Sequence, residues 1–154
     1  MPQQQPEADL APAILEQAAD AVIFADSAGE IHLWNAAACA LFGFSKEEAL
    51  GRSLDLIVPE RLRAAHWTGF RRAIESGTTR LEGRATVTRS LSKSGKTLYV
   101  ELSFALVKRP SGEVGGAVAI ARDVTRRYEE ERARRRAAGE SPGSGPATPS
   151  VPRG

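Results

Sequence analysis

This 154-residue chain is poor in the residues that staple or metallate small proteins: it has one cysteine, one methionine and two histidines. A lone Cys39 cannot close an internal disulfide, which fits a reducing, cytoplasmic setting. Two histidines and one cysteine offer no cluster with the spacing of a structural zinc site. Long apolar runs are missing as well. None approaches the roughly 20 residues that a membrane-spanning helix requires, so no membrane role is expected. The opening MPQQQPEADL has neither a basic start nor an apolar core, so it does not read as a secretory signal. The chain also has no phosphate-cradling glycine loop and no serine or cysteine phrase of the nucleophile-elbow kind. It is therefore expected to sense or bind rather than catalyse. An output enzyme would lie on a partner or on a further part of the chain.

What remains is the composition of one globular domain, 42% hydrophobic and 26% charged. The net charge is +2, and the segment RRYEEERARRR at 126–136 carries six arginines and three glutamates. Without it the body is nearly neutral. No aromatic ladder accompanies the arginines, so nucleic acid is not an expected partner.

Periodicity divides the chain. Residues 1–8 are polar and expected to be flexible, and a short flanking helix is predicted over 9–19, with Ile14, Leu15 and Ala18 on one side. AVIFAD at 21–26 and EIHLWN at 30–35 read as strands joined by the turn Asp26-Ser27-Ala28-Gly29. Asn35 is suited to cap a helix AAACALFG, and Ser45 opens the capping box S-K-E-E. A long helix is predicted from Pro59 to Gly77. The period then falls to two over 84–92, 96–109 and 113–125. In the middle segment Leu98, Val100, Leu102, Phe104 and Leu106 alternate with polar residues, so one face is apolar. Two strands, several helices and three strands predict an α+β domain with helices on one face of an antiparallel sheet. A folded body is thus expected over 9–125, a charged exit helix over 126–139 and a disordered tail or linker over 140–154. Val124, Tyr128, Ala133 and Ala137 are too sparse for a convincing coiled coil.

One position on the long helix stands out. Leu62, Phe70, Ala73 and Ile74 form its apolar stripe, and His66 falls on that stripe. Two readings are open: a core histidine held by a backbone partner, or a ligand to something bound inside. Trp34 and Trp67 read as packing residues, Cys39 as a small buried hydrophobe, and His32 as facing solvent or a partner.

The run ADSAGEIHLWNAAACALFGFSKEEALGRSLDLIVPE, the helix after it, a Lys-Ser-Gly-Lys turn and the closing ARDVT together resemble the PAS domain family over roughly 12–126. The resemblance implies a five-stranded antiparallel sheet in the order 2-1-5-4-3, with helices forming a ligand pocket on one face. It also implies a sensory or dimerising role, with signal leaving through Asp123 and Thr125 into the exit helix. Within the family, Pro59-Glu60-Arg61-Leu62-Arg63-Ala64-Ala65-His66 resembles the helix phrase of heme-binding PAS domains of FixL-type oxygen sensors and related phosphodiesterases. There the matching histidine is the axial iron ligand. The likeness implies a sensor of a diatomic gas or of redox state with heme b on His66, Arg72 near a heme propionate, and Leu102 and Phe104 lining the distal side; Arg80 could also pair with a propionate and Thr86 could donate to a bound diatomic.

Three positions depart from that pattern. Thr86 stands where the oxygen sensors place a hydrogen-bonding arginine. Arg84 stands where the phosphodiesterases have a methionine ligand, and Phe104 is bulkier than the usual aliphatic residue. The readings kept open beside heme are a cofactor-free PAS module for dimerisation or partner docking, and a PAS pocket for another small organic ligand. The flavin-binding phrase Asn-Cys-Arg-Phe-Leu-Gln is absent. A homodimer is expected, with a kinase, cyclase or transcription regulator as output partner.

Overall fold

Alternating apolar residues build a single antiparallel sheet. The structure, a computed structural model, describes residues 9–79 and 83–139. β1 (Ala21–Asp26) and β2 (Ile31–Trp34) form the expected hairpin, and β3 (Thr86–Leu91), β4 (Thr97–Lys108) and β5 (Val114–Asp123) complete the sheet. The order is β2-β1-β5-β4-β3, as the family resemblance implies. Early and late parts of the chain meet where β1 pairs with β5, with Ala21 opposite Ala121 and Ile23 opposite Ala119. Thr88 pairs with Val100 and Thr86 with Leu102, while Leu102 and Phe104 pair with Ala121 and Ala119. One face of the sheet therefore collects Leu98, Val100, Leu102, Phe104 and Leu106 with the alanines of β5 and the threonines of β3.

The helices follow their sequence signals at most ends. They are α1 (Leu10–Gln17), α2 (Ala36–Phe42), α3 (Lys46–Ala49), α4 (Arg63–Ser76) and α5 (Thr125–Ala137). Asn35 accepts from the Ala38 amide to cap α2, and Ser45 and Glu48 form the full capping box of α3. The long helix departs from expectation at its start. Glu60–Leu62 is a tight 3-10 turn, and the α-helix begins only at Arg63. Neither Pro59 nor Leu62 offers a capping side chain, so the chain tightens and the Leu62 amide bonds the Pro59 carbonyl at 2.8 Å. The far end stops as predicted at Gly77, which has φ 70°.

The core lies between the sheet and the helices. One cluster joins Ile23, Ile31, Trp34, Leu98 and Val100 to Phe42, Ala49 and Ile57; a second joins Phe70 and Ala73 of α4 to Ala117. Small alanines on β5 let α4 approach closely. Coverage is uneven along β4. Leu98 and Val100 are buried, whereas Leu102, Phe104 and Leu106 are only half-buried although they share the same face.

The opposite face is covered near Tyr99, where the exit helix returns. Tyr128 stacks on Tyr99 at 4.0 Å, and Arg127 pairs with Glu101 at 3.3 Å. α1 does not take that place in its own chain. It buries none of its residues, and Leu10, Ile14 and Leu15 remain exposed. It is tied instead to the α2–α3 side, by Asn35 Nδ2 donating to the Leu15 carbonyl and by a Lys46–Glu16 ion pair. An uncapped eight-residue helix has little stability of its own, so its few tethers fix where it lies.

Candidate functional site

The buried face of α4 consists of His66, Gly69, Phe70 and Ala73, which is the stripe expected from the sequence. His66 is 8% exposed. Its ring meets Trp67 edge-on at 4.9 Å and lies 6.0 Å from Phe70, which in turn meets Phe104 of β4 at 6.5 Å. Among the described residues neither ring nitrogen has a hydrogen-bond partner, and Nδ1 is sealed from solvent. Buried polar atoms are normally satisfied, and an orphan costs about 1–3 kcal/mol. The first of the two readings, a core histidine with a backbone partner, thus finds no partner here. Burial lowers the imidazole pKa from its ordinary 6.5, with the Asp55 charge opposing, so the ring is neutral near pH 7.

That depression has a measurable consequence. The unfolded chain takes up the His66 proton near pH 6.5, whereas the folded chain resists until lower pH. Stability from this residue is present above pH 6.5 and is lost as pH falls from there toward the lowered folded value. Urea midpoints of wild type and His66→Phe, compared at pH 7.5 and 5.5, should show wild type losing more on acidification. Equal losses would contradict a buried neutral imidazole.

Trp67 does more than pack. Its Nε1 donates to Asp55 Oδ1 at 2.7 Å, and its ring lies on Gly29 of the β1–β2 turn. A Cβ at Gly29, where φ is +84°, would come within 2.2 Å of that ring, so only glycine admits the indole. Arg63 donates to the carbonyls of Val58 and Asp55 at 3.2 and 3.3 Å. These contacts set the rotation of α4 and hence where His66 points.

The other residues suggested by the sequence fall as follows. Arg72 is exposed and has no ion pair or hydrogen bond among the described residues. Arg80 lies outside the described residues. Thr86, Leu102 and Phe104 share the helix-side face and are half-buried. An open depression of about 320 Å3 borders Phe104 and Leu106, with Gly77, Thr78 and Lys108 around it. Its volume is at the lower end for small-molecule sites. Asp123 Oδ1 accepts from the Thr125 amide at 2.9 Å and its hydroxyl at 2.6 Å, and the Thr125 hydroxyl accepts from the Tyr99 amide at 3.0 Å. The exit helix is thereby latched to β4. Cys39 is only partly buried against the core.

Two features escape sequence reasoning. Thr88, 1% exposed, is buried with a hydroxyl that bonds nothing among the described residues. Asp26, Glu30 and His32 bring carboxylate and imidazole atoms within 4.8 Å of one another. A register shift between Phe24 and Ala25 creates that second group by turning His32 toward Asp26, to which it bonds at 2.8 Å. Burial alone would raise the Asp26 carboxyl, but bonds from His32, Glu30 and Ala28 hold it below its ordinary value. Asp26 and His32 thus serve the hairpin turn.

An antiparallel 2-1-5-4-3 sheet with helices over one face, an inward polar residue on the long helix and a latched exit helix is the architecture of a PAS-type sensory module. The chain belongs to the PAS fold family, whose model matches residues 15–129. It is 32% identical to an uncharacterised protein of Azorhizobium caulinodans over 82% of this chain and 17% of that protein. It is 32% identical to the oxygen sensor protein DosP of Escherichia coli, over 61% of this chain and 12% of DosP. It is 31% identical to the sensor protein FixL of Bradyrhizobium diazoefficiens, over 58% of this chain and 18% of FixL. The chain therefore spans less than a fifth of the length of these relatives. Among solved structures, an RNA-binding light-oxygen-voltage receptor superposes with TM-score 0.69 at 24% identity, over 90% of this chain and 39% of that one. A PAS domain from Colwellia psychrerythraea gives 0.63 at 22% identity, over 78% and 98% of the two chains. These two likenesses show the fold. No helix among the described residues is long and apolar enough to cross a membrane.

Proposed function

We propose that this PAS module senses a diatomic gas through a heme b held by His66. The observation that carries the reading is an inward imidazole with no polar partner among the described residues, kept neutral by burial. Neutral imidazole is the form that ligates iron. A histidine kept for structure alone would spend its nitrogens on the protein. The half-buried stretch of β4 at Leu102 and Phe104 offers apolar surface facing α4, and the exposed Arg72 guanidinium, without a partner among the described residues, is proposed to meet a propionate carboxylate. Arg80 is the second arginine the sequence offers for that task. The oxygen-sensing role of DosP supports the same reading. When bound, the heme iron would supply the coordination position for the gas.

The chain's own residues would do the rest. His66 holds the group, Leu102 and Phe104 exclude water, and Asp123 with Thr125 passes displacement of the sheet to the exit helix. Thr86 brings no cation to the distal side, so discrimination in favour of oxygen over carbon monoxide is expected to be weak. The protein is proposed to act in the cytoplasm on a kinase, cyclase or transcription regulator. On reduction, and again on adding carbon monoxide, the Soret band of hemin-reconstituted protein should shift. A band that moves in neither step contradicts an open position on the iron.

The second reading is a cofactor-free dimerisation or docking module, favoured by exposed Ile120 and Val107 on the outer sheet face and by Leu10 and Ile14 on α1. The two readings differ on the cofactor, and a homodimer is proposed in both. Burying one isoleucine contributes about 1.5–3 kcal/mol, and a two-fold interface counts each change twice. Ile14→Glu or Ile120→Glu should therefore weaken self-association by more than about 100-fold. Analytical ultracentrifugation at tens of micromolar checks this, and an unchanged dimer would place the interface elsewhere.

A further inference from the structure

We infer that Thr88 is a second ligand-contacting residue of this site, its hydroxyl meeting the small molecule bound opposite His66; the inference rests on the heme reading above. Thr88 is 1% exposed, yet its hydroxyl has no partner among the described residues. Valine has the same shape without the unmet hydrogen bond, and β-branched apolar residues suit such a position. A protein-only role therefore does not account for the oxygen atom.

The strand register aims that hydroxyl at the helix layer. Thr88 lies opposite Val100, a fully buried member of the main core cluster. The level of Thr88 along the sheet follows from three contacts. The Leu91 amide bonds the Ile57 carbonyl at 2.9 Å, Phe70 meets Phe104, and Thr78 lines the same depression as Lys108. The segment from Ile57 to Thr78 thus runs alongside β4 in the same direction. His66, one turn before Phe70, falls nearest the level of Leu102, whose partner on β3 is Thr86, and Thr88 lies one pleat further along the same face, opposite Val100. Thr86 is half-buried and partly wetted, whereas Thr88 is sealed, and a hydrogen bond is stronger where water is excluded.

Thr88→Val tests the inference in two states. Without hemin the variant should unfold at the same urea concentration as wild type or a higher one, because no protein contact is lost. A marked fall in the midpoint would reveal a protein partner for the hydroxyl and overturn the inference. With hemin, the variant should keep stoichiometric heme. The C–O stretch of its carbon monoxide adduct should move to higher frequency, with affinity for carbon monoxide falling by about 2- to 10-fold, the worth of one hydrogen bond. Thr88→Ser should restore both. If heme is bound but the stretch and affinity match wild type, Thr88 is not a contact and the heme reading stands. If wild type takes up no hemin, the heme reading falls and this inference falls with it.

Discussion

Alanine at position 66 is expected to abolish stoichiometric hemin binding and leave the fold in place. The imidazole makes no hydrogen bond among the described residues, so its removal breaks no polar network there. What the fold loses is ring contact with Trp67 and Phe70, offset in part by removing an unsatisfied buried nitrogen. For hemin the same change removes the residue proposed to hold the iron. Changes that merely disturb a ligand's outer support cost about 10- to 100-fold in metal affinity, so losing the ligand itself should cost more. His32→Ala is the matching control. His32 is exposed and pairs only with Asp26, an interaction worth at most about 1 kcal/mol at a surface. Absorption titrations should separate the two variants cleanly, with far-ultraviolet circular dichroism confirming that both remain folded. Hemin affinity equal to wild type in His66→Ala would remove His66 from the site.

Asn35→Ala is expected to cost more stability than any change in the candidate site. Asn35 is 1% exposed and uses its whole hydrogen-bonding capacity. Its Oδ1 accepts from the amides of Val22 at 2.9 Å and Ala38 at 3.0 Å. Its Nδ2 donates to the carbonyls of Leu15 at 2.9 Å and Asp20 at 3.0 Å. One side chain thereby joins the N-terminal segment, β1 and α2. Alanine strands four backbone groups, and with an unsatisfied buried group costing about 1–3 kcal/mol the total should reach roughly 3–6 kcal/mol after relaxation. Domains of this kind have only about 5–15 kcal/mol in hand. Asn35→Asp keeps the acceptors but turns a carboxylate on two carbonyl oxygens, so it should also destabilise strongly. Urea denaturation checks both; a loss under about 1 kcal/mol for alanine would show that water or a shifted backbone replaces these bonds.

The sequence made the sheet readable because burial on one face enforces a period of two. Leu98 to Leu106 alternate, and the structure places them together on the helix side. The Asn35 and Ser45 caps were legible because each is a local bond between neighbours in sequence. The stripe carrying His66 was legible for the same kind of reason, since helical periodicity sets which residues share a face.

What was not legible depends on contacts between distant segments. That His66 has no partner among the described residues is a property of everything around it. Thr88 reads as an ordinary strand threonine until the β3–β4 register turns it inward and no neighbour meets it. His32 reads as facing solvent or a partner, and its contact with Asp26 is not visible because it depends on His32 being the residue skipped at the β1–β2 register shift. Trp67 reads as packing because its seat, Gly29, lies 38 positions earlier in the chain. Periodicity marks α1 as a helix but does not say where it rests. The tethers at Asn35 and Lys46 outweigh an apolar side that remains exposed.

The most direct test is an absorption titration of the purified wild-type chain with hemin at pH 7.5. A neutral, unpartnered His66 predicts a sharp Soret band that grows linearly and breaks at one heme per chain. A spectrum that stays that of free hemin, with no break at any ratio, would contradict the account and leave a cofactor-free module as the reading of this fold.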